Sequence, residues 1–150
     1  MPITLQTFVL YVGAAALGRH YAVLMISGYF AMGIAGAPIF SRGASGIAPL
    51  LGPTGGYLAG FFLAALLVGY LAPRARSAGR LAGVLLLASC AIYLCGSWRL
   101  AQVLQKGVLE VLPLGVYPFI LGDIAKITAS ITLIQAGRRW FAKKRAISAN

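Results

Sequence analysis

Asp123 and Lys126 stand inside an otherwise apolar run, in the stretch Gly122-Asp123-Ile124-Ala125-Lys126. A charged side chain at the centre of a membrane helix costs about 2.5–3.5 kcal/mol on insertion scales, so such residues usually serve a use. Their i, i+3 spacing puts both on one helix face, within reach of each other. The acid can accept hydrogen bonds from a polar ligand, and the amine can donate to a ligand oxygen or carboxylate. The plainer alternative is mutual neutralisation, with Lys126 helping helix packing.

A second cluster is Gly52-Pro53-Thr54-Gly55-Gly56-Tyr57. It resembles a phosphate loop only superficially, because no Gly-Lys-Ser/Thr follows, and nucleotide binding is not supported. Thr54, Gly55 and Tyr57 are the candidate ligand contacts here. Against that, Gly52, Gly56 and Gly60 recur every four residues, a spacing that lets helices pack closely. Tyr57 also has an aromatic-belt explanation. Thr4 and Gln6 read as interfacially solvated residues, Glu110 as the i, i+4 partner of Lys106, and His20 has no assigned role.

Catalysis would need more convergent polar groups than these. The chain has two acids and one His, no visible nucleophile–base pair and no metal set, so neither an enzyme nor a cofactor is expected. Cys90 and Cys95 fall in one apolar run on different helix faces, which disfavours a disulfide and points to core packing.

The elements that hold these residues follow from composition. Of 150 residues, 60% are hydrophobic and only 10% charged, against about 25% charged in a soluble domain. Mean hydropathy is +0.87. Lipid can solvate such a surface where water cannot. The net charge of +11 would suggest nucleic acid in a soluble chain. Here the basic residues flank apolar runs, where they set topology and meet anionic lipid, so nucleic acid is excluded.

A span needs about 20 mainly apolar residues. The runs predict about five transmembrane helices in a single domain, at residues 3–17, 21–40, 56–72, 81–98 and 116–136. Residues 99–115 suit a short interfacial helix. The runs are continuously apolar rather than alternating, which favours helices over a β-barrel. Met1-Pro2-Ile3-Thr4-Leu5 lacks a basic n-region and does not read as a signal peptide. With the C-terminus cytoplasmic, the inner side holds Arg19, Arg74, Arg76, Arg80, Arg138, Arg139, Lys143, Lys144 and Arg145. The outer side holds only Arg42, Arg99 and Lys106. That bias fits the positive-inside rule. It turns the loop at 43–56, the 99–115 connection and the start of the last helix outward together.

At these residues the chain resembles the BioY family, the substrate-specificity (S) components of energy-coupling-factor transporters for biotin. The likeness rests on Pro2-Ile3-Thr4-Leu5-Gln6-Thr7-Phe8 and on Gly33-Ile34-Ala35-Gly36-Ala37-Pro38-Ile39-Phe40. It rests equally on Gly52-Pro53-Thr54-Gly55-Gly56-Tyr57-Leu58 and on the stretch from Pro118 to Lys126. Each block is modest alone; the four in order are specific. The resemblance implies an all-α, six-helix fold with its pocket near the outer surface, here lacking the first helix. It implies that Asp123 and Lys126 are the family's binding pair, with residues around Thr54 to Tyr57 lining or capping the pocket. The expected function is a multi-pass biotin-binding subunit in the bacterial inner (plasma) membrane. Active uptake then requires a membrane coupling (T) subunit and ATPase subunits, since the chain has no ATP-binding motif. The alternatives are an S component for another vitamin, and a truncated or structural membrane protein that binds no solute.

Overall fold

The computed structural model describes residues 4–148. Pro2 and Ile3, with the start of the first expected span, lie outside them. Seven α-helices form among the described residues: α1 (Gln6–Leu17), α2 (Arg19–Ile34), the single turn α3 (Ala48–Leu51), α4 (Gly55–Leu71), α5 (Ala78–Leu104), α6 (Val108–Gly115) and α7 (Tyr117–Ser148). No strand occurs among the described residues.

Three helices are long and apolar enough to cross a membrane, within Gly55–Arg74, Ala78–Leu104 and Tyr117–Lys144. Helices α1 and α2 have 12 and 16 residues, or ~18 and ~24 Å of rise against a hydrocarbon core of ~30 Å. They meet at Gly18, whose φ of 78° reverses the chain in one residue, a conformation that glycine adopts without steric cost. The expected second span reaches to residue 40, but α2 stops at Ile34. Gly36 (φ 108°) and Pro38 break the periodicity there. Helix α7 runs past residue 136 through the basic tail, because Ala, Lys and Arg are all good helix formers.

Glycines set the closest helix contact. Helices α4 and α5 share the most extensive interface. A Cβ at Gly56 would sit 2.3 Å from the Cys95 carbonyl oxygen, and one at Gly60 would sit 2.6 Å from Ile92 Cα. The close-packing reading thus holds for these two, while Gly52 belongs to the turn before α4. The core gathers around α4, where Ala64, Ala65 and Val68 are fully buried. Across it, the Tyr11 and Ser89 hydroxyls share a buried 2.7 Å hydrogen bond that ties α1 to α5.

The two ends of the bundle differ chemically. At one end, Arg138 of α7 donates to the Ala75 and Ala72 carbonyls at 2.7 and 2.6 Å, supplying partners for the open end of α4. Two expectations are corrected here. Lys106 and Glu110 do not pair: Lys106 lies in the turn after α5, while Glu110 sits in the first turn of α6, its carboxylate near Gly107. Cys90 is not core but exposed on the outside of α5, and Cys95 is half-buried.

Candidate functional site

Asp123 and Lys126 lie in the first third of α7. Lys126 Nζ donates to Asp123 Oδ1 at 2.8 Å, with side chains 11% and 14% exposed respectively. This is the one ion pair among the described residues. From the facing helix α5, the Tyr93 hydroxyl donates to the other carboxylate oxygen, Oδ2. The carboxylate is therefore gripped from its own helix and from a neighbour. Tyr93 escaped the sequence reading because it sits inside an apolar run, thirty residues from its partner. Its only signal was a hydroxyl within a span.

These three side chains line a cavity of about 560 Å³, within the range of ~300–1,000 Å³ common for small-molecule sites. Its apolar lining includes Phe40, Tyr57, Leu58, Phe61, Ile92, Leu114 and Phe119. Polar groups other than the triad are few: Thr4, Gln6, Thr7, Ser41, Arg42 and Thr54. Mostly apolar walls with one concentrated polar cluster suit a ligand with a compact polar head and an apolar body.

The turn before α4 contributes differently at each position. Tyr57 is buried, not an interfacial belt residue. Its ring fills the space above Gly96, where a Cβ would come within 2.3 Å of it. Its hydroxyl donates to the Gly115 carbonyl at 2.9 Å, linking α4 to α6. The ring lines the cavity while the hydroxyl is already engaged. Thr54 also lines the cavity, but its Oγ1 donates to the Pro49 carbonyl at 2.7 Å. Gly55 is not part of the lining. A Cβ there would fall 1.8 Å from the Leu50 carbonyl oxygen, so its role is to let α3 fold back against α4.

The segment between α2 and α3 forms another wall. Phe40 packs its ring on Gly33, with a would-be Cβ only 2.2 Å away. It also meets Tyr29 edge-on at 5.5 Å. Gln6 Nε2 donates to the Tyr29 hydroxyl at 2.7 Å and to the Ile39 carbonyl at 3.1 Å. Thr4 Oγ1 donates to Gln6 Oε1 at 3.2 Å. Interfacial solvation therefore does not describe Thr4 and Gln6. They lock α1 to this wall. Arg42, at its tip, has φ 63°, a left-handed conformation uncommon for a side-chain-bearing residue.

Comparison with known proteins agrees with this architecture. The BioY family model matches residues 1–143. The biotin transporter BioY of Thermotoga maritima is 30% identical over 135 residues, covering 87% of this chain and 76% of that protein. A probable biotin transporter BioY of Methanothermobacter thermautotrophicus is 41% identical over 130 residues, covering 80% and 83%. The crystal structure of an S-component for biotin from an ECF-type ABC transporter superposes with a TM-score of 0.83 at 25% identity. That match covers 93% of this chain and 76% of the other. These relatives are transporters, not enzymes. With a matching family model across most of its length and three membrane-length helices, the chain is a membrane protein that belongs to the BioY family.

Proposed function

We propose that the chain is the biotin-binding subunit of a vitamin uptake transporter, with the ligand held in the cavity beside Asp123, Lys126 and Tyr93. The observation that carries this reading is the ion pair itself, almost enclosed yet on the wall of an apolar cavity. An ionised carboxylate offers about four acceptor positions, and a Lys ammonium has three donors. Lys126 and Tyr93 use two of the acceptor positions, and Asp123 uses one donor. Two acceptor positions and two N–H groups remain for a ligand. Biotin's ureido head brings two N–H donors and a carbonyl, with a carboxylate at the far end of an apolar chain. Asp123 accepts from the ureido N–H groups and Lys126 donates to a ligand oxygen. The Tyr57 ring forms an apolar wall, Thr54 borders the opening, and Gly55 shapes the turn that places both.

The chain works as one transmembrane domain in the bacterial plasma membrane, C-terminus inside and cavity outward, as the bias of basic residues supports. A membrane coupling subunit and ATPase subunits supply the energy for uptake. Saturable binding of labelled biotin to the purified chain, challenged with other vitamins, tests this reading. A vitamin that outcompetes biotin moves the ligand assignment. No saturable binding and no ligand-dependent rise in melting temperature supports an assembly role instead and sinks the proposal.

A further inference from the structure

Among the described residues, the end of the bundle opposite the cavity carries cations without carboxylate partners. The chain's two acids are Asp123, engaged with Lys126, and Glu110, in the first turn of α6. Three elements meet at this end. A Cβ on Gly69 would approach Arg19 Cα within 3.0 Å, which sets the start of α2 against the last turns of α4, and Arg138 brings in α7. Arg19 and Arg74 lie over the same ring, Tyr70, at 5.9 and 4.1 Å from its centroid. Two guanidinium groups thus share one half-exposed aromatic ring, held there by cation–π attraction. His20 stands beside them, its Nε2 3.4 Å from an Arg19 Nη.

Beside this cluster a groove of about 500 Å³ opens between α2 and α4. Its rim is Arg19 and His20, and its floor is Val23, Leu24 and Leu66. We propose that this groove binds one anionic phospholipid, its headgroup phosphate held by Arg19 and His20 at the rim, with Arg74 at the shared Tyr70 ring adding positive charge, and an acyl chain along Val23, Leu24 and Leu66. Charge complementarity selects the occupant. Cations at the membrane surface without carboxylate partners attract anionic headgroups, and arginine grips phosphate oxygens with paired N–H donors. The apolar floor directly beneath requires that the phosphate carry a hydrocarbon tail. A protein partner fits less well, because five lining side chains are a small footing beside the roughly 20–30 residues a side of a stable interface.

Native mass spectrometry and thermal melts of the purified full chain, with dioleoyl-phosphatidylglycerol or dioleoyl-phosphatidylcholine added at equal concentration, test the proposal. The two lipids share tails and differ in headgroup charge. The expected result is one tightly retained phosphatidylglycerol per chain, at least tenfold preferred over phosphatidylcholine, and a higher melting temperature with the former only. The double substitution Arg19→Gln with Arg74→Gln should remove the preference, and Arg19→Lys with Arg74→Lys should keep part of it. Neutralising Arg139, Lys143 and Lys144 together should leave it intact. Equal retention of both lipids by the unaltered chain overturns the proposal, whether or not the variants fold. So does equal loss on neutralising the tail, which means diffuse attraction. Full displacement by millimolar inorganic phosphate also overturns it, since a soluble anion would then suffice.

Discussion

Replacing Asp123 by Asn keeps the side chain's shape and changes its charge and donor pattern. One side-chain oxygen becomes an NH2 group, which faces either the Lys126 ammonium or the Tyr93 hydroxyl, a donor in both cases, and no longer offers an acceptor position to the ligand. Two effects follow. Lys126, 11% exposed, loses its counter-ion. Breaking a fully buried pair costs about 3–5 kcal/mol, and the partial exposure at a cavity wall lowers this to about 1–3 kcal/mol. Separately, a ligand N–H that had met a carboxylate now meets at best one neutral acceptor. Hydrogen bonds to charged groups contribute about 1.5–3 kcal/mol each, so losing one weakens biotin binding roughly 10- to 150-fold. The double variant Asp123→Asn with Lys126→Met separates the effects. It removes both charges, so the ligand-free melting temperature should recover toward that of the parent while biotin affinity stays low. Equilibrium binding of labelled biotin to the parent, the single and the double variants reads the outcome. An affinity for Asp123→Asn within twofold of the parent, or a double variant that binds normally, would refute the assignment and leave simple charge neutralisation as the pair's purpose.

Tyr93→Phe removes one donor to the Asp123 carboxylate without emptying the space the ring fills. The bond is present without ligand, so ligand-free stability should fall by about 1.5–3 kcal/mol, as for a hydrogen bond to a charged group, and biotin binding should weaken in addition because the carboxylate loses the donor that fixes its orientation. Gly60→Ala sets a methyl 2.6 Å from Ile92 Cα, where only backbone movement can make room. Overpacking of this kind costs about 1–3 kcal/mol, so the melting temperature should fall, whereas Gly28→Ala, with nothing within 4 Å, should leave it unchanged or slightly raised. Arg138→Gln removes the guanidinium that serves the Ala72 and Ala75 carbonyls and should destabilise by about 1–3 kcal/mol. Faster amide exchange at the end of α4 would be its local sign, and an unchanged exchange pattern would count against the contact.

What could be read from the chain alone is what depends on neighbours in sequence. Long apolar runs with cations at their ends require lipid and helices, because an unpaired backbone in hydrocarbon is too costly. The pairing of Asp123 with Lys126 follows from one helical turn, and the packing glycines at 56 and 60 follow from a four-residue repeat. Even there, local reasoning erred where the chain is not helical throughout. Lys106 and Glu110 have the spacing of a pair, but the turn that ends α5 at Leu104 separates them.

The tertiary structure decided everything that joins distant segments. Only the crossing of α5 and α7 brings the Tyr93 hydroxyl to Asp123, only the fold of residues 35–46 back over Gly33 turns Phe40 and Arg42 into a cavity wall, and only the meeting of α4 with α6 occupies the Tyr57 hydroxyl. The physical reason is the same in each case. In an all-apolar helix no stripe marks which face meets protein and which meets lipid, since both neighbours are equally apolar. Helix rotation is then set by close packing at small residues, which leaves a period only in the four-residue glycine repeat of α4, and by a few interhelical hydrogen bonds, which leave none.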